Sequence, residues 1–312
     1  MADTLEPQTD AERQAVGLIE KSDVRADLIQ QALDIKRGST HDAVSAAAPE
    51  VVAAETVKEE PLIAIPFAEL QTLLAPKGID LQKQLDDHVA FMVRMGVVSD
   101  AGQYAANFNT ISVRKSELET IPQGYKPMLF VDDMAPGESA RVFNIPLFGQ
   151  ELSNFTKRDP NNPDKIFPNQ FPSGLARLTF TPNVTNLPSS LTDKKADTRL
   201  DEMKQGKHFM EPAQWFQFFA ECLDKAIREL NLGNGEEWKD MDKEKRQAIM
   251  QDRRIDQYLP DATTFTQFPD YRNQFGSVLG LGWNPGLRGV SVGGWGPEDD
   301  THDDLGVRPS LG

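Results

Sequence analysis

Thiols, histidines and basic charge are all scarce in this chain. Its 312 residues include one Cys and four His. A lone thiol forms no internal disulfide, and one Cys with four scattered His builds no Cys/His zinc cage. No apolar run approaches the roughly 18 residues needed to span a bilayer. The opening Met1-Ala2-Asp3 carries neither the basic nor the apolar region of a secretory signal. Lys and Arg number 33 against 48 Asp and Glu, a net charge of −15. That balance opposes sequence-independent binding to phosphate backbones, which needs clustered cations. The expectation is a soluble protein made in the cytosol, without membrane span, direct nucleic-acid binding, cofactor or bound metal.

What is present is unevenly distributed. Residues 1–60 carry a net charge of −7 and residues 296–312 a net −4, leaving only −4 for everything between. Both ends are poor in aromatics and read as acidic arms on a near-neutral body. The first arm begins helically: Thr9 or Asp10 can cap a helix, Lys36-Arg37 suits its last turn, and Gly38 ends it. Residues 39–60 lack a sustained period and read as a linker.

The body shows clearer signals. Pro66 suits the first position of a short helix, and Asp80 can cap a second one ending at Gly96. In the latter, Leu81, Leu85, Val89 and Met92 share one face. Strand patterns follow at 110–114, 128–132, 140–145 and 175–181, with Ala135-Pro136-Gly137-Glu138 as a hairpin turn. Glu211-Pro212 opens the strongest helix, whose apolar face carries Trp215, Phe216, Phe219, Cys222, Leu223, Ala226, Ile227 and Leu230. Gln214, Gln217, Glu221, Asp224, Lys225 and Arg228 fall on the opposite face, and another helix is expected over 236–256.

Two stretches are anomalous. Residues 141–192 hold seven prolines, yet Phe143, Phe148, Phe155, Phe167, Phe171 and Phe180 are threaded through them. A long irregular insertion with so many rings must find cover for them, since each buried ring contributes roughly 1.5–3 kcal/mol. Residues 276–296 contain eight glycines together with Trp283 and Trp295. So much glycine makes the backbone costly to order, which favours an extended arm laid across another molecule; a core strand is the competing reading.

Catalytic motifs are weak by comparison. Asp132-Asp133 follow an apolar strand, and paired carboxylates at a strand end can hold Mg²⁺ for phosphoryl transfer or hydrolysis, with Glu138 or Asp164 as a third ligand. Adjacent strand side chains point to opposite faces, however, and Asp is itself a favoured turn residue. The acidic run Glu298 to Asp304 lacks the spaced oxygens of an EF-hand. His88, at the edge of the apolar arc of Leu81, Leu85 and Met92, reads as a hydrogen-bonded boundary residue, His208 has no acid partner in the local sequence, and Cys222 sits on an apolar face as a small hydrophobe. Gly280-Leu281-Gly282 begins like a dinucleotide fingerprint but has Pro at 285 and no following helix.

The reading is therefore α+β, with helices packed on a small antiparallel sheet and with extended N- and C-terminal arms. It divides the chain into an acidic helical arm and linker (1–60), a body (61–275) and a Gly/Trp-rich arm with an acidic tail (276–312). The expected function is that of a non-enzymatic assembly subunit, a viral or phage particle component. It would bind other subunits, its own copies or different chains, through Phe155, Phe167, Phe171, Trp283 and Trp295. The alternatives are a metal-dependent enzyme using Asp132 and Asp133, and an acidic adaptor whose first helix docks on a basic partner.

Overall fold

Aspartate and proline set the beginnings of the helices. Asp80, Asp100 and Asp242 each accept a hydrogen bond from the backbone amide three residues on, satisfying a donor that a helix start would otherwise leave open. Pro136 and Pro212 occupy first-turn positions, where a missing N–H does no harm. The computed structural model describes residues 62–119, 121–131, 135–166, 176–188, 190–192, 194–296 and 304–310. All of them belong to one unit spanning Thr56–Gly312. The expected helix and linker of 1–60, the acidic run 298–303, Asp132, Asp133, Phe167 and Phe171 lie outside the described residues.

In chain order the elements are β1 (Ile63–Pro66), α1 (Phe67–Leu74), α2 (Leu81–Arg94), α3 (Ala101–Ala106), β2 (Thr110–Val113), α4 (Lys115–Glu119) and β3 (Tyr125–Val131). There follow α5 (Pro136–Val142), β4 (Leu147–Gly149), β5 (Thr156–Asp159), β6 (Asn162–Ile166), β7 (Ala176–Pro182), α6 (Ala196–Lys204) and α7 (Pro212–Glu229). Then come α8 (Lys243–Gln251), β8 (Phe265–Arg272), β9 (Val278–Asn284), β10 (Gly289–Trp295) and β11 (Leu305–Gly306). The α+β class holds. In place of one small antiparallel sheet there are two sheets, both of mixed direction. The first has the order β1-β2-β7-β3, with β2 parallel to β7. The second has the order β4-β10-β9-β8-β5-β6, with β4 parallel to β10 and β11 added in parallel to β8.

Helix α7 ties the two sheets together. Its Phe219 ring lies 5.8 Å from Trp283 of β9, while Gln217 Nε2 donates to the Leu129 carbonyl of β3 at 2.7 Å. The face expected to be solvated is therefore covered in part: Gln214, Gln217 and Asp224 are buried along with Trp215, Phe216, Phe218 and Phe219, while Lys225 and Arg228 stay exposed as expected. Asp224 is matched by Arg94 of α2 at 2.7 Å, so the burial of its charge is compensated. Two further local expectations change. Residues 136–142 form helix α5, not a turn and strand, because Pro136 starts a helix and Ala140 and Phe143, one turn apart, both bury in the core shared with α7. The helix expected over 236–256 is interrupted: a 3₁₀ turn (Trp238–Asp240) precedes α8 and another (Arg253–Gln257) follows, where the Asp252 side chain takes the Arg254 amide.

The glycine-rich stretch is the principal correction. Residues 278–295 form the adjacent strands β9 and β10 in the interior of the second sheet, not an arm on another molecule. Their glycines are slots for rings. Gly280 and Gly293 are cross-strand partners, and a Cβ on either would overlap the Trp295 indole. A Cβ on Gly289 would likewise meet the Phe148 ring, and one on Gly282 the Phe265 ring. The backbone entropy that glycine forfeits is thus offset by apolar area that a side chain would exclude. The hairpin turn is anchored by Arg288, which donates to Asp256 at 2.7 Å and to the Met250 and Asp252 carbonyls. Trp283 Nε1 donates to the same Asp256 carboxylate at 2.9 Å.

Candidate functional site

Segment 304–310 forms a strap that the chain buries. Leu305 and Gly306 pair with Phe265 and Thr266 of β8, the Val307 amide donates to the Leu191 carbonyl, and Ser310 Oγ lies 2.6 Å from Thr179 Oγ1 of β7. The strap thereby links both sheets. At its centre Arg308, 0 % exposed, enters a socket whose base is Asp261, 1 % exposed. The guanidinium donates to Asp261 Oδ1 at 2.7 Å and to the carbonyls of Val184 and Thr185 at 2.9 and 2.6 Å. It also lies 5.0 Å from the Phe218 ring centroid. Asp261 takes further bonds from Trp215 Nε1 at 2.8 Å, Thr264 Oγ1 at 2.9 Å and Thr266 Oγ1 at 2.6 Å. Both charges are paired and hydrogen-bonded, the condition under which a buried ion pair is tolerated.

A second polar cluster joins β5, the start of α7 and β8. Lys157 Nζ lies 2.6 Å from Glu211 and 3.8 Å from Asp270. Glu211 also caps α7, accepting from the N3 amide while Gln214 reaches back to the Glu211 amide. Burial drives the Glu211 carboxyl upward, but Lys157, Arg177 and Arg114 hold it below the usual range. Asp270 has less support, and burial pushes it up to about 6 against the pull of Lys157. The Tyr271 hydroxyl is buried without a hydrogen-bond partner, and burial beside Glu211 and Asp270 raises it well above the ordinary phenol. Among the described residues no group of three His, Cys, Asp or Glu side chains is placed to hold a metal ion.

Of the remaining titratable candidates, His88 and Cys222 are embedded in the fold. His88 Nε2 lies 3.0 Å from the Tyr104 hydroxyl among Phe91, Tyr104 and Phe108, and burial lowers it to about 4. Burial pushes the Cys222 thiol up to about 11, leaving little thiolate for nucleophilic attack at neutral pH. The His208 carbonyl accepts from the Ser310 amide, as part of the strap's seat. Glu138, a candidate third metal ligand, is exposed and lies 3.7 Å from Arg141.

The partner-binding candidates separate into two groups. Phe155 and Trp283 belong to the chain's own core, at 4 % and 1 % exposure, so neither ring is available to a neighbour; this corrects the expectation from sequence. Trp295 is half-buried over its two glycines. Apolar groups other than these partner-binding candidates are exposed among the described residues. Phe275, at the turn between β8 and β9, is 82 % exposed, and Leu287, at the next turn, is 52 % exposed. Leu147 and Phe148 of the marginal strand β4 are 37 % and 38 % exposed. β4 pairs with β10 on one side, and no described strand pairs with its other side. An open strand margin bearing apolar side chains is a template for association.

A groove of about 390 Å³ between α2 and α3 has walls of Val89, Ala90, Val93, Ala101 and Ala105. No described helix is long and apolar enough to cross a membrane. Compared with known proteins, the chain matches no family model, no curated protein and no solved structure.

Proposed function

We propose that the chain is a non-enzymatic structural subunit of a larger assembly, of the kind that builds a viral or phage particle. It binds neighbouring copies through the open margins of its second sheet. The observation that carries this reading is the β4 margin, where Leu147 and Phe148 stand exposed beside the turn that carries Leu287. A margin of this kind offers unpaired backbone groups and apolar area together, which is what strand addition uses. At the opposite margin Ile166 ends β6 exposed, and the sequence runs on into Phe167 and Phe171, which keep their assignment as partner contacts in this proposal. The acidic residues 1–60 are proposed as an additional arm to neighbours.

Light scattering behind size-exclusion chromatography, across a hundredfold range of concentration, tests the reading. The full chain should self-associate, and Leu147→Lys with Leu287→Lys should weaken association at least tenfold while leaving the circular dichroism unchanged. A chain that stays monomeric at every concentration would refute it.

A further inference from the structure

We propose that the β5–β6 margin is held to the second sheet by a proton-dependent latch: protonation of Asp270 seats the margin, and its ionisation releases it. The first support is how little else holds the margin. β5 reads Thr156-Lys157-Arg158-Asp159, without an apolar side chain, and all four residues are half-buried. Its pairing with β8 consists of Thr156 opposite Arg272 and Lys157 opposite Tyr271. Beyond it, β6 ends on Ile166, 54 % exposed, and no described strand pairs with the outer side of β6. Phe155, just upstream, is fixed in the core and marks where the loosely held chain begins. Segments with so few buried apolar contacts are the ones that open locally.

The second support is how the joint is built. The β8–β9 register shifts between Phe268 and Arg272, which lie opposite the consecutive residues Leu279 and Val278. Pro269, Asp270 and Tyr271 are the excess, a bulge of the kind that re-aims side chains. Asp270 thereby lies 3.8 Å from Lys157, whose ammonium Glu211 at the start of α7 holds at 2.6 Å. Carboxylates from two elements thus share the ammonium of β5. Around them stand Arg272 of β8, held by Asp197 of α6 at 2.6 Å, and Arg177 and Arg114 on the Glu211 side. The Tyr271 hydroxyl is buried beside the same carboxylates without a hydrogen-bond partner. With the margin seated, an ionised Asp270 is desolvated beside an ammonium already engaged by Glu211. With the margin released, Asp270 and the Tyr271 hydroxyl both reach water. The seated form therefore binds the proton more tightly, and burial raises the Asp270 carboxyl to about 6, so the margin is seated below that pH and loosened above it. On the assembly reading the β6 margin meets neighbours, and acid favours that contact. That consequence rests on the assembly reading; the latch itself is read on dilute monomer, so either can fail alone.

The test is amide hydrogen exchange of the full chain at monomeric dilution, at pH 5 and pH 7.5, with rates corrected for intrinsic chemistry. At pH 7.5 residues 156–166 should exchange about a hundredfold faster than 278–295 or more, the mark of local opening. A carboxyl raised from 3.8 to about 6 allows a change of up to about a hundredfold in proton-linked opening, so protection of 156–166 should rise roughly ten- to a hundredfold at pH 5. Asp270→Asn, permanently neutral, should show the high protection at both pH values. Histidine titrates in the same range, and His208 precedes Glu211 by three residues; the variant separates the two because it leaves His208 in place. Three results would each overturn the proposal: no gain of protection over 156–166 in the parent at pH 5, exchange of 156–166 in step with 278–295, or a pH dependence that survives in Asp270→Asn. The first two are read on the parent alone and stand whatever the variant does.

Discussion

Replacing Arg308 by Met isolates the contribution of the socket. The side chain keeps most of its volume, so the apolar contact with Phe218 is largely retained. What is lost is the cation opposite Asp261, together with the donors to the Val184 and Thr185 carbonyls. Asp261 keeps three donors, from Trp215, Thr264 and Thr266, but has no compensating charge at 1 % exposure. Breaking a buried pair from one side costs about 3–5 kcal/mol. A domain with a total of roughly 5–15 kcal/mol would then stand near its threshold. Urea unfolding at pH 7, followed by tryptophan fluorescence and circular dichroism, reads this as a fall in midpoint at constant slope. Asp261→Asn alone should also destabilise, by stranding the guanidinium, and the two changes together should cost clearly less than their sum. If Arg308→Met costs under about 1 kcal/mol and the two changes add simply, the account of the socket is wrong.

Two other outcomes follow from the geometry. Asp270 has its folded-state carboxyl raised to about 6 from 3.8, so folding favours its protonated form. Its contribution to stability is therefore full below about pH 4, falls as pH rises through 6, and stays lost above that, by up to about 3 kcal/mol. Asp270→Asn, a permanently neutral analogue, should exceed the parent in stability at pH 7.5 and match it at pH 4; a gap that grows on acidification would contradict this. Gly293→Ala places a methyl where the Trp295 indole lies, and should cost about 1–3 kcal/mol and red-shift the emission of that tryptophan as it is displaced. A neutral effect with unchanged fluorescence would show that the ring is not seated there.

How much of this was legible depends on where the determining contacts lie. Helices α2 and α7 could be read because their signals are local: an Asp80 cap, a Pro212 start and apolar residues at helical spacing. The burial of Gln217 and Asp224 was not legible, since it comes from β3 and Arg94, distant partners that a helical wheel cannot show. Strands β9 and β10 were hidden because glycine at 280, 282, 289 and 293 erases the alternation that marks a strand. Their order comes from rings supplied by Trp295, Phe148 and Phe265, two of them on other strands. Arg308 is the single Lys or Arg of the acidic stretch 296–312, where nothing local in the sequence marks a cation for burial. The alternation of Leu305 and Val307 before it was the available signal, as both bury on the same strap. Phe155 and Trp283 were misread for the same reason, because both rings are covered here by other parts of the same chain.

Amide hydrogen exchange of the dilute protein, read by mass spectrometry over peptides covering 278–295, puts that central point to the most direct test. Strands β9 and β10, paired on both sides within the second sheet, should be protected for hours at neutral pH, at concentrations where only monomer is present. Exchange of these amides within seconds, with protection gained only on association, would contradict the fold described and restore the arm.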